Sequence, residues 1–170
     1  MQYNLIVAMC EGSRGIGYKG QMAWYNKADL NHFSKLTRGK GNNAVIMGRT
    51  TWESLPNKML PLRDNLIVTS TIDLYSIAND NIIKSFETID AVIKFCNLME
   101  YDKVWIIGGE SIYKQFLDKN LINKCFISTI EKHYECDTFF PELNETDWKI
   151  NSSVVLTDDV KITEFERIYI

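Results

Sequence analysis

The 170 residues, 45% of them hydrophobic, suffice for one compact domain with a sizeable core, whereas two domains would each be small. A formal net charge of -3 excludes the broad positive field that nucleic-acid binding draws on. No apolar run approaches the roughly 18 residues of a membrane span, and four cysteines and two histidines show neither a CxxC pair nor metal-ligand spacing, so a reduced cytoplasm, no membrane and no metal are expected.

In chain order, LIVAM (5–9) reads as a first strand, short and apolar. A loop with Gly15, Gly17 and Gly20 follows, mobile enough to act as a lid, and it carries Met22 and Trp24. Next, KADLNHFSKL (27–36) sets Leu30, Phe33 and Leu36 at helical spacing, a helix with one face on a sheet. Asp29 stands four residues before Phe33, so its carboxylate falls beside that apolar stripe. Two readings stay open there: a first-turn acid favoured by the helix dipole, or a desolvated acid under an aromatic lid, suited to proton chemistry or a flat cationic ligand.

AVIMG (44–48) reads as a second buried strand, and Arg49, Thr50 and Thr51 then open a helix. Cation, hydroxyls and free amides converge at such a place, as phosphate binding requires, although an ordinary Thr cap accounts for the same residues. Arg63 opens the strand NLIVTS (65–70), where surface exposure and a carboxylate clamp are the alternatives. IIKSF (82–86) is a further strand, ETIDAVIKFCNLM (87–99) a helix, VWII (104–107) a strand and SIYKQFL (111–117) a helix. Beyond Asn120 only strands are predicted, at 125–134, 148–157 and 161–170, the last two joined by a turn at Asp158-Asp159. The alternation implies βαβ units around a largely parallel sheet, with the late strands adding antiparallel pairs.

The strand at 104–107 runs into Gly108-Gly109. Ligands gather beyond the carboxyl ends of such strands, and residues without Cβ let a pyrophosphate approach the backbone and the following helix start. For two glycines alone a tight, close-packed turn is the better reading, and the pair lacks the third spaced glycine of a dinucleotide fingerprint.

Taken together, VA near the start, GIGYKGQMAW, ADLNHF, VIMGRTTWESL, LPLRDNLIVTS, VWIIGGESIY and CDTFFPEL resemble the dihydrofolate reductase family, in order and over almost the whole chain. The resemblance implies one α/β domain over 1–170: an eight-stranded, mostly parallel sheet with an antiparallel C-terminal strand and helices on both faces. It implies NADPH-dependent reduction of 7,8-dihydrofolate to tetrahydrofolate, serving one-carbon metabolism, by a cytoplasmic monomer that antifolates inhibit. Carried over by motif, Asp29 is the acid of the pterin pocket, with Trp24 and Ser128 beside it as catalytic residues. Ile6, Ala8, Leu30, Phe33, Leu55, Leu60, Ile107 and Tyr113 line the pocket, and Arg63 clamps the glutamate α-carboxylate. On the cofactor side stand Ala8, Ile16, Gly17, Met22, Gly48, Arg49, Thr50, Thr51, Thr69, Ser70, Gly108, Gly109, Glu110, Ser111 and Ile112, with a cis peptide between the two glycines.

This chain departs from the family at several points. Ala23 replaces a proline before the tryptophan, EGSRGIG is one residue longer than usual, and Ser128 replaces a threonine. TST (69–71) offers hydroxyls and no cation beside Ser70. A pyrimidine reductase of riboflavin synthesis on the same fold, or a non-catalytic nucleotide-binding protein, are the alternative readings.

Overall fold

The structure is a computed structural model that describes residues 1–169. Eleven strands and four α-helices follow one another as β1 (Gln2–Cys10), β2 (Gly15–Gly17), α1 (Lys27–Arg38), β3 (Asn43–Gly48), α2 (Arg49–Ser54), β4 (Asp64–Val68), β5 (Tyr75–Ala78), β6 (Asn81–Phe86), α3 (Ile89–Leu98), β7 (Lys103–Gly108), α4 (Glu110–Asp118), β8 (Ile122–Ile130), β9 (Thr138–Phe139), β10 (Trp148–Thr157) and β11 (Val160–Arg167). A 3-10 turn, Pro56–Lys58, follows α2. Nine strands form one sheet in the order β10-β11-β8-β1-β7-β3-β4-β6-β5, and β2 pairs with β9 apart from it. The six strands from β8 to β6 run parallel, and antiparallel pairs close both edges.

The apolar runs become central strands because each supplies both faces of the sheet. Along β7, Val104 and Ile106 enter one core cluster while Trp105 and Ile107 enter the other. On β3, Ala44 and Ile46 likewise oppose Val45 and Met47. Helices cover both sides: Val92 and Cys96 of α3 and Phe116 of α4 pack into the first cluster, Phe33 and Leu36 of α1 and Trp52 of α2 into the second.

The sheet has nine strands where eight were expected. The additional one, β5, is joined to β6 by Asn79 and Asp80, both at positive φ (49° and 68°), a turn that matches the twist of a tight hairpin. Its residues are mostly exposed, so no apolar alternation marks it in the sequence. The predicted strand over 125–134 is displaced: β8 starts at Ile122 and stops at Ile130, ahead of the exposed stretch 131–135. The two-residue turn at Asp158-Asp159 is present between β10 and β11. The predicted final strand includes Ile170, which lies outside the described residues. Among the described residues no helix is long and apolar enough to cross a membrane.

Candidate active site

Three central parallel strands end toward one rim of the sheet, β1 at Cys10, β7 at Gly108 and β3 at Gly48, which places the predicted residues Ala8, Gly48 and Gly108 on that side. Asp29 is set by a helix cap. Asn26 Oδ1 accepts the Asp29 N–H at 2.9 Å, which starts α1 and fixes Asp29 in its first turn. The first-turn reading is therefore right about position, yet the side chain is only 6% exposed, far from a solvated cap acid. Burial pushes its carboxyl above the ordinary value, while the Ser128 hydroxyl and His32 act in the opposite direction. Ser128 reaches this side because β8 pairs with β1 in a register that sets it against Ala8.

Five of the residues expected to line the pterin pocket belong to the second core cluster. Ile6 and Ile107, from adjacent strands, pack there with Phe33, Leu55 and Leu60. Leu30 is half-buried on α1, one turn before Phe33. Tyr113 belongs to the cluster on the other face, but its hydroxyl reaches back to the strand ends, 2.8 Å from both Ile6 O and Ile107 O. One phenolic proton thus serves two carbonyls, which leaves acceptor capacity directed at the rim.

Arg63 is buried, at 3% exposure. Its Nε donates to Pro61 O at 2.7 Å and Nη1 to Thr37 Oγ1 at 2.8 Å. Thr37 Oγ1 in turn donates to Phe33 O at 2.8 Å, in the last turns of α1. No carboxylate pairs with Arg63 among the described residues, and burial, aided by Arg38, pushes the guanidinium down to about 10. A buried cation held by neutral oxygens alone is poised for an anion. Of the two sequence alternatives for Arg63, surface exposure is excluded. Thr37 was missed; its signal was a fully buried hydroxyl-bearing, β-branched residue inside a helix, visible only once burial is known.

The second cluster of predicted residues lies where β3 meets α2 and β7 meets α4. Neither helix start has a side-chain cap, so both leave N–H groups free. The junctions touch: a Cβ on Gly48 would lie 3.2 Å from Ile112, and one on Gly109 would lie 3.7 Å from Thr51 Oγ1. The two glycines of the rim differ in kind. Gly108 sits at φ 122°, and a Cβ there would lie 3.1 Å from the Tyr113 hydroxyl. A Cβ on Gly109 would make only ordinary contact, so packing alone does not require a glycine there. The bond between them is cis. Thr50 and Ser111 are exposed at these junctions, and Ser70 is exposed just past β4 beside Thr69. The cation missing from TST arrives from elsewhere in the chain: Arg49 Nη1 donates to Thr71 Oγ1 at 2.9 Å while its Nε bonds Glu53.

The lid is tethered on one side. Gly17 pairs with Thr138 in the β2–β9 ribbon, Asp137 N donates to Gly17 O, and Lys19 N donates to Asp137 Oδ2 at 3.0 Å. Glu110 Oε1 accepts from Phe139 N at 2.7 Å, joining that ribbon to α4. Ile16 packs on the core, whereas Met22 is exposed at the lid's far end. Trp24 is buried among Cys10, Ile130 and Val160, and its Nε1 has no acceptor among the described residues.

The family model described as dihydrofolate reductase matches residues 2–168. A Candida albicans protein named dihydrofolate reductase is 35% identical over 97% of this chain and 93% of its own length. One of that name from Heliothis virescens is 34% identical over 85% of this chain and 82% of its own. A bifunctional dihydrofolate reductase-thymidylate synthase from Daucus carota is 35% identical over 85% of this chain, which spans 29% of that longer protein. With that match running nearly end to end, the chain belongs to the dihydrofolate reductase family.

Proposed function

We propose that this protein reduces 7,8-dihydrofolate to 5,6,7,8-tetrahydrofolate, with NADPH as the reductant. The observation that carries the reading is a pair of buried, opposite charges at the two ends of one helix. Asp29 lies in the first turn of α1, and Arg63 is bonded to Thr37 near its last. Eight residues at 1.5 Å rise put these positions about 12 Å apart along the axis. The ligand that suits them carries a flat, hydrogen-bond-donating ring at one end and a carboxylate at the other. Dihydrofolate has that form, and the apolar wall of Ile6, Phe33, Leu55, Leu60 and Ile107 suits the rings between. The pyrimidine substrate of riboflavin synthesis has no such carboxylate tail, and a non-catalytic nucleotide binder has no use for a buried Asp29.

The residues at the β3–α2 and β7–α4 junctions fit the cofactor. The missing Cβ of Gly109 lets a pyrophosphate approach the backbone, Thr51 and Ser111 offer hydroxyls, and Arg49 on Thr71 offers a cation next to Ser70 for the phosphate that distinguishes NADPH. NADPH supplies the hydride. The chain's own work is to hold the two rings together, exclude water and favour positive charge on the pterin. Asp29 accepts the N–H edge of the ring and stabilises the cation that forms at N5. The matching motifs offer no other acid, so the N5 proton comes from water admitted under the lid, and Asp29 raises its affinity through the field rather than by contact. Ser128 orients the carboxylate. We infer a monomer that binds no nucleic acid.

A spectrophotometric assay of NADPH oxidation with dihydrofolate, repeated with an antifolate, tests the reading. Turnover that the inhibitor abolishes supports it. NADPH oxidation only with a ribosylaminopyrimidine substrate, or binding of NADPH without oxidation, would replace it with one of the alternatives.

A further inference from the structure

α1 carries a second titratable group beside Asp29. His32 follows it by three positions, the spacing that makes two side chains neighbours on a helix surface. The imidazole is half-buried, and its Nε2 is buried with no hydrogen-bond partner among the described residues. Neutral imidazole has one N–H and one bare nitrogen, so whichever tautomer is present, a polar atom is left unmatched in the interior. Asp29 is the one charge that acts on it, favouring the imidazolium that burial opposes. The elements packed on α1 offer no rival. β3 has no ionisable side chain, and on β10 the only one, Lys149, is turned to Glu166. Of the two acids in the turn after β10, Asp159 is bridged to Lys132 and Asp158 does not bear on His32. On α1 itself, Lys27, Lys35 and Arg38 complete the charges, and none of them bears on His32.

We propose that His32 is a positioning residue that ties Asp29's grip on the substrate ring to pH. Neutral His32 leaves the whole of the Asp29 charge to the ligand; protonated His32 competes with the ligand's N–H edge for it. The inference rests on Asp29 being the ring-binding carboxylate. Because burial holds His32 below its ordinary range, the site is fully available near neutrality and loses grip only as the solution turns acid. Linkage makes the effect reciprocal: a ring seated on Asp29 weakens proton binding at His32 by the same factor by which the proton weakens the ring.

The chain has only two histidines, so NMR of the imidazole C–H groups resolves His32 directly, the resonances being assigned with His32→Gln. Titrations are compared for the parent, for the parent saturated with 2,4-diaminopyrimidine, and for Asp29→Asn. His32 is expected to titrate below the ordinary imidazole range, and to lose a further ~3–10-fold in proton affinity with the probe bound or with Asp29→Asn. In parallel, the probe's Kd is measured for the parent and for His32→Gln from about pH 8 to about pH 5. The ratio of the two cancels the probe's own protonation, and the parent should lose ~3–10-fold relative to the variant across that range. A His32 titration unmoved by the probe overturns the proposal, needing no substitution at all, and so does a flat ratio in a folded His32→Gln variant. Failure of the functional reading looks different: the coupling between His32 and Asp29 would persist in a protein that never oxidises NADPH with dihydrofolate.

Discussion

Asp29 is retained against its own stability. Its folded-state carboxyl titrates above the unfolded value of 3.8, so the folded protein holds the proton more tightly, and the charged form weighs against folding as pH rises through that raised value. Asp29→Asn should therefore melt higher than the empty parent at neutral pH, with the difference vanishing in acid where both side chains are neutral. The same variant should bind NADPH normally yet reduce dihydrofolate at least about a hundredfold more slowly in single turnovers, with the residue climbing as pH falls and substrate arrives protonated. Near-parental hydride transfer at neutral pH would reduce Asp29 to a helix-start acid. Arg63→Ala should raise KM for dihydrofolate by about tenfold or more, the worth of a charged hydrogen bond, and leave a pterin without the glutamate tail unaffected. Equal losses on both substrates would remove the clamp. Asp29 stood out in the sequence as a charge beside an apolar stripe, whereas Arg63 was open between exposure and a clamp until the resemblance pointed to it. Thr37 and His32 did not stand out, since a hydroxyl and an imidazole on a helix reveal nothing until their burial is seen.

Between elements, the β7–α4 junction separates packing from binding. Gly108→Ala sets a side chain at φ 122° against Tyr113, and backbone strain of that kind costs about 1–3 kcal/mol. Gly109→Ala meets only ordinary contact with Thr51, so its thermal melting should match the parent while NADPH affinity drops. Calorimetry and NADPH titration on the two variants distinguish these outcomes, and unchanged NADPH binding in Gly109→Ala would make both glycines structural. The lid depends on Asp137, whose carboxylate receives Lys19 N–H. Removing that charge-assisted bond, worth ~1.5 kcal/mol, in Asp137→Ala should open the lid roughly tenfold more often. Limited proteolysis between Gly15 and Trp24 measures it, and parental cleavage rates would show that the ribbon holds the lid without the carboxylate.

For the molecule as a whole, the parallel centre of the sheet was legible because strands covered on both faces leave continuous apolar runs. Its margins were not. β5 has exposed residues and no alternation, and the β2–β9 ribbon is held by Gly15 and Gly17 across some 120 residues of chain, a pairing that no local pattern encodes. The cation near Ser70 was invisible for the same reason: Arg49 reaches Thr71 across 22 positions of sequence. The site was readable where one segment supplied it and hidden where the fold joined two.

Arg63 has a consequence for how long the protein lasts. An interior cation with no counter-charge weakens the empty chain, and a bound carboxylate removes that defect, so resistance to heat and proteases follows substrate supply. Arg63→Met, which fills the space without charge, should melt above the parent when both are empty. With dihydrofolate at a hundred times the parent's Kd, which adds about 2.7 kcal/mol to the parent, the order should reverse. If melting curves keep the same order with and without ligand, the guanidinium is neutral to stability. If they cross, starvation for substrate shortens the protein's half-life, and an inhibitor bearing the same carboxylate lengthens it, so that blocking the enzyme also causes it to accumulate.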